Sequence, residues 1–113
     1  MRFSSVVLLI LLFSAQLRAQ STTGTIVGTV TDSSGLAMSG VSVVAMDVAT
    51  NNSRKATTDD SGVFSIPNLD AGTYRVEFQK TRFKKSQATI ELPVSETRRL
   101  KVSMEVGPID EVV

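Results

Sequence analysis

The sequence predicts an all-β domain, a sandwich of about seven strands, and three observations predict it. Apolar and polar residues alternate over short runs, the pattern of a half-buried strand. Clusters of Asp, Asn, Ser and Gly punctuate the runs at regular spacing, each cluster able to reverse the chain. No segment beyond the N-terminal apolar stretch carries a helical period.

The chain begins with Arg2, then the apolar run Val6 to Phe13, then a more polar stretch from Ser14 to Ala19. That is the layout of a secretory signal peptide, with cleavage expected between Ala19 and Gln20. A membrane-spanning helix needs about 20 apolar residues, and this run is much shorter. With no Cys in the chain, attachment of a lipid by the bacterial lipoprotein route is excluded. The expected organisation is a signal peptide over 1–19, a flexible lead over 20–24, a sandwich over 25–106 and an extended tail over 107–113.

The first strand is expected from Thr25 to Thr31, ended by the turn Asp32-Ser33-Ser34-Gly35. Val41 to Val48 follows, and its nearly continuous apolar stretch Val43 to Met46 suggests a central strand. Asn51 and Asn52 mark a loop before a short strand from Arg54 to Thr58. Asp59-Asp60-Ser61-Gly62 is a four-residue turn signal. Val63 to Ile66 alternates, and Pro67, which cannot donate to a ladder, is expected to end that strand. Gly72 allows a reversal into Thr73 to Gln79, with Tyr74, Val76 and Phe78 on one face. Ser86 to Leu92 turns Ala88, Ile90 and Leu92 inward. The last strand, Arg98 to Val106, turns Leu100, Val102, Met104 and Val106 inward.

These residues carry a family resemblance. Thr58, Asp59, Gly62, Phe64, Ile66, Leu69, Gly72, Tyr74, Val76 and Phe83 fill a pattern T-D-x-x-G-x-F-x-F, then x-x-L-x-x-G-x-Y-x-V, then an aromatic. Upstream, Gly28-Thr29-Val30-Thr31-Asp32, Gly35 and Gly40-Val41-Ser42-Val43 are similar to an opening G-x-V-x-D…G…P-x-G-V-x-V. The pattern resembles the carboxypeptidase regulatory-like domain, with its transthyretin-like or prealbumin-like fold. This family also occurs at the N-terminus of TonB-dependent outer-membrane receptors. The resemblance implies a Greek-key β-sandwich with an accessory role rather than the peptidase chemistry in the family's name. Two positions depart from the pattern: Ser39 stands for the usual Pro, and Arg82 for the usual Gly before the aromatic.

Composition narrows the chemistry further. The chain has no His and no Cys, which excludes the common nucleophile–base pairs and the usual zinc ligand sets. No catalytic residue, cofactor site or metal site is expected, and the protein is not read as an enzyme. Asp59-Asp60-Ser61 holds only a fragment of the oxygen set that calcium requires, so it reads as a turn. Asn51-Asn52-Ser53 matches the glycosylation triplet but reads as an Asn-rich turn. Loss of Arg2 and Arg18 with the signal peptide leaves ten cationic against eleven acidic side chains, a net charge of −1. A nucleic-acid partner is therefore not expected, and Lys80, Arg82, Lys84 and Lys85 read as a solvated loop.

The tail is the remaining feature. Ile109-Asp110-Glu111-Val112-Val113 follows Gly107-Pro108 and looks like the start of a TonB box. Its β-branched residues favour an extended backbone able to add to the edge of a partner's sheet. The expected function is a non-enzymatic exported accessory module. Its sharpest form is the periplasmic N-terminal extension of a TonB-dependent receptor, here without plug and barrel, with TonB or a receptor plug and barrel as partner. The alternative is a stand-alone domain that binds carbohydrate or a cell-surface partner. The chain has no Trp and its one Tyr sits in a core pattern, which weighs against a sugar-stacking face.

Overall fold

The computed structural model of the protein describes residues 22–107, which form seven strands in two packed sheets. The strands are β1 (Gly24–Asp32), β2 (Ser42–Asp47), β3 (Ser53–Thr57), β4 (Val63–Leu69), β5 (Gly72–Gln79), β6 (Ser86–Leu92) and β7 (Thr97–Met104). One sheet has the order β4-β1-β7 and the other β3-β2-β5-β6. The chain leaves the second sheet for β4 and returns as β5 beside β2, which is the Greek-key step. All pairings are antiparallel except that of β1 with β7, which is parallel from Thr25↔Thr97 to Asp32↔Met104.

The period of two decides which residues meet between the sheets. Ile26 and Val30 of β1, Phe64, Ile66 and Leu69 of β4, and Met104 of β7 line one inner face. Val43 and Ala45 of β2, Tyr74, Val76 and Phe78 of β5, and Leu92 of β6 line the other. Phe64 and Phe78 join the two faces edge to face, with ring centroids 5.6 Å apart and planes at 66°. Ile90, Leu100 and Val102 are half-buried and pack against this core. Edge strands β3 and β7 carry Arg54 and Lys55, and Arg98, Arg99 and Lys101, all exposed, a composition that discourages pairing with another chain's edge.

Two expectations are corrected. β4 does not end at Ile66 but runs through Pro67 to Leu69. It is an edge strand, and between the pairs Ile26↔Ile66 and Gly24↔Leu69 the register shifts, three steps on β4 against two on β1. Pro67 sits in that bulge, next to Asn68 at φ 59°, where no ladder donor is required of it. Val106 is not inward: β7 ends at Met104, and Val106 is 65% exposed in an isolated bridge to Phe83.

One turn is used twice. In Asp32-Ser33-Ser34-Gly35 the carboxylate Oδ1 accepts from the backbone N–H groups of Ser34 and Leu36 at 2.9 and 3.0 Å. In Asp59-Asp60-Ser61-Gly62 the Asp59 Oδ1 accepts from Ser61 and Val63, both at 2.9 Å. Each turn closes with the Gly N–H on the Asp carbonyl, and Gly62 stands at φ 75°. A Cβ on Gly62 would also lie 2.5 Å from the Val30 carbonyl oxygen, so both conformation and packing demand Gly there.

The Ser34 hydroxyl at 2.6 Å, and then the backbone donors, hold the Asp32 carboxyl below the usual carboxylate range. A lowered folded-state pKa favours the fold at neutral pH. That contribution is lost as pH falls through the lowered value, below about pH 4. Asp32→Asn keeps an acceptor for the turn and removes the titration. The variant is therefore expected to show a flatter acid limb in denaturation midpoints measured from pH 6 to pH 2.

Candidate functional site

The strand directions sort every loop to one of two poles. At one pole lie the loops after β1, β3 and β5 and the end of β7. At the other lie the start of β1 and the loops after β2, β4 and β6. The first pole is tied together by backbone bonds that join its loops to β1 and to each other: Val30 N–H to Gly62 O, Met38 N–H to Val30 O and Gly40 N–H to Thr58 O. Thr58 is the buried polar residue among the described ones. Its hydroxyl accepts from Val41 N–H at 2.9 Å and donates to Met38 O at 2.7 Å. Thr58 thus fixes the loop before β2, a role that its place in a motif does not reveal.

The loop from Lys80 to Lys85 joins β5 to β6 at this pole. It turns on Phe83 N–H to Lys80 O at 3.0 Å, with Arg82 at φ 74°. Arg82 therefore adopts the left-handed backbone that the usual Gly would adopt, which resolves the departure seen in the sequence. An L-residue pays roughly 1–2 kcal/mol for that conformation, partly offset by the entropy Gly would add to the unfolded chain. Arg82→Gly is expected to raise stability by about 0.5–1 kcal/mol, read from a chemical-denaturation midpoint. No gain would mean that the arginine side chain contributes contacts that offset the strain.

Phe83 tucks its ring against the core and pins the loop. The segment after β7 closes on the same loop: Lys84 N–H donates to Glu105 O at 2.8 Å and Gly107 N–H to Arg82 O at 3.0 Å. The cations spread around this clasp. Lys80 Nζ donates to Ser39 O at 2.6 Å, Lys85 pairs with Glu77 at 3.1 Å, and Lys84 lies 3.9 Å from Glu105. Between the loop and the start of β2 lies an open cleft of about 610 Å³, lined in part by Gly40, Gln79, Lys80, Phe83 and Lys85.

The opposite pole has a smaller polar cleft of about 260 Å³, lined by Asp47, Asn52, Arg54, Asn68, Asp70 and Tyr74. Tyr74 is no exposed sugar platform: it is 3% exposed, and its hydroxyl donates to Asp70 O at 2.7 Å. Burial, and then the Asp47 and Asp70 carboxylates, push its phenol up, so it stays a neutral donor that pins the turn before β5.

The other sequence expectations can be placed. Asp59 spends its carboxylate on its own turn, and Asn51 stands at φ 62° in the β2–β3 turn, the turn reading in both cases. Among the described residues no three His, Cys, Asp or Glu cluster as a metal set would, and no helix is long and apolar enough to cross a membrane. The expected cleavage residues Ala19 and Gln20, and the expected partner segment Ile109, Asp110, Glu111, Val112 and Val113, lie outside the described residues. Gly107, assigned to the tail from sequence, is instead clasped by Arg82.

Comparison with known proteins places this geometry. The sequence profile of the carboxypeptidase regulatory-like domain matches residues 25–105. The chain is 34% identical over 105 residues to the TonB-dependent transporter Oar of Myxococcus xanthus. That match covers 91% of this chain and 10% of the transporter. Among solved structures, the Bacillus anthracis TIE protein is similar with a TM-score of 0.65 at 21% identity, over 75% of this chain and 17% of that one. Acinetobacter radioresistens catechol 1,2 dioxygenase has a TM-score of 0.65 at 10% identity, over 83% of this chain and 56% of that one. These two likenesses concern the fold alone, and one of them is an enzyme, so the sandwich by itself decides nothing about catalysis.

Proposed function

The chain belongs to the carboxypeptidase regulatory-like domain family, and from that membership we propose that it is a non-enzymatic, exported accessory module, the periplasmic N-terminal extension of a TonB-dependent receptor. The observation that carries this reading is the 34% identity to a TonB-dependent transporter across nearly the whole chain. The chain spans about a tenth of that transporter's length, so the match speaks for one module of such a receptor. The chain carries no His or Cys, so the nucleophile–base pairs built on those residues are not open to it. Export through the segment before Gln20 would deliver it to the periplasmic side of the outer membrane.

In this reading Ile109 to Val113 is the partner segment. It pairs with a sheet edge of TonB through main-chain hydrogen bonds. Gly107 N–H is held by the Arg82 carbonyl, so Gly107 itself is left out of the proposed pairing segment. The test is an NMR titration of residues 20–113 with the TonB C-terminal domain. The unmodified chain is expected to bind weakly, since a short strand must be ordered on binding. Val112→Pro removes a ladder donor and is expected to abolish the shift changes without altering the sandwich spectrum. Equal shifts in both proteins, or none in the unmodified chain, would remove the TonB-box reading.

A further inference from the structure

We infer that the loop from Lys80 to Lys85 is a docking surface for an anionic phospholipid leaflet. This rests on the receptor reading, and it adds a partner that the reading does not name. Four cations fall within six residues: Lys80, Arg82, Lys84 and Lys85. Two of the four, Lys80 and Arg82, have no acidic partner among the described residues. Lys80 Nζ donates to the Ser39 carbonyl, an uncharged partner. Lys84 and Glu105 are 3.9 Å apart with both side chains mostly exposed, a pair that solvent screens strongly. Lys85 has Glu77, and Arg82 makes no ion pair with a described residue. Among the described residues, the other acids of this pole are Asp32, at the end of β1, and Asp59 and Asp60, in the loop after β3; Asp110 and Glu111 lie outside the described residues. Asp32 and Asp59 each engage one carboxylate oxygen with the backbone of their own turn.

Rigidity favours the surface. Phe83 packed against the core and the three backbone bonds at Lys80, Lys84 and Gly107 hold the loop, so little ordering opposes docking. Val106, 65% exposed on the clasp itself, adds an apolar contact beside the charges. The chain's path supplies the orientation. Gly107 lies on this loop, while Gly24, the start of β1, lies at the far pole. On the receptor reading, a membrane-embedded portion joined after Gly107 would be tethered to the pole that carries the basic loop and not to the opposite one. The tether would raise the loop's effective concentration at the leaflet, so weak intrinsic binding suffices.

The sandwich is complete within the described residues, so residues 20–113 can be tested alone. The probes are vesicles of phosphatidylglycerol mixed with phosphatidylcholine, and vesicles of phosphatidylcholine only, in a sedimentation assay. Binding to the mixed vesicles alone is expected, and it should disappear in about 0.5 M salt as the charges are screened. Each cation near such a surface is worth roughly fivefold in partitioning. The quadruple variant K80Q/R82Q/K84Q/K85Q should therefore lose binding by more than about 100-fold. The control K55Q/R75Q/R99Q/K101Q, with the same change in net charge elsewhere, should lose far less. Thermal melts of both variants confirm that the fold persists. Absent binding, equal binding to neutral vesicles, or equal loss in both quadruple variants overturns the inference. The TonB titration is independent of these results: its failure beside intact vesicle binding would strike the TonB-box reading and leave the lipid surface standing.

Discussion

Phe64→Ala is expected to cost about 3–5 kcal/mol, read as a fall in the chemical-denaturation midpoint without a change in slope. Phe64 is 2% exposed on β4, at the edge of the three-stranded sheet, and its ring meets Phe78 of the four-stranded sheet edge to face. Truncation removes that contact and leaves a void between the sheets that a rigid two-layer fold fills poorly. A domain of this size holds about 5–15 kcal/mol in total, so one side chain would carry a large part of it. Without a disulfide, nothing covalent limits the loss. Phe64→Leu should recover part of the loss, since it refills volume but not the ring contact. An unchanged midpoint for the alanine variant would mean that β4 does not close the core.

Local alternation made most of this fold legible. Tyr74, Val76 and Phe78 read as one face and are one face, because strand geometry alone sends every second residue the same way. The Asp-x-Ser-Gly turns were legible for a similar reason: both the carboxylate cap and the glycine conformation are short-range. What escaped were features set by partners far along the chain. Pro67 reads as a strand end unless the neighbouring strand is known to slip register there. Val106 continues the alternation of β7 perfectly, yet the strand stops first, because Gly107 and Glu105 are claimed by the loop at Arg82 and Lys84. No local pattern states that β7 runs parallel to β1.

The basic loop was legible only as composition. Lys80, Arg82, Lys84 and Lys85 read equally well as solvated charge, because sequence does not show that the chain beyond β7 passes through them. The clasp of Gly107 on Arg82 and of Lys84 on Glu105 changes that, because it closes the segment after β7 onto this loop. Arg82 shows the limit from the other side. Its departure from the family pattern was visible, but only the backbone angle shows that the turn survives the substitution at some cost in strain.

Gly28→Ala is expected to destabilise at or above the roughly 3 kcal/mol upper range of overpacking substitutions. Gly28 lies mid-strand on β1, between β4 and β7, without a positive φ, so its reason is space rather than conformation. An added Cβ would lie 2.5 Å from the Leu100 carbonyl oxygen and 2.7 Å from Phe64 Cε1. The ring can shift at some expense, but Leu100 is bound into the parallel ladder opposite Gly28, and its carbonyl can move only with the strand. The methyl group must therefore prise β7 from β1 or drive Phe64 from the core. A double-mutant cycle separates these routes. In the Phe64→Ala background the ring obstacle is gone, so the added cost of Gly28→Ala should fall, with a coupling of about 0.5–3 kcal/mol. It should not vanish, because the Leu100 carbonyl remains in place. Full additivity would show that the ring is not part of the obstacle, and a neutral Gly28→Ala would show that β1 and β7 lie further apart than this register places them.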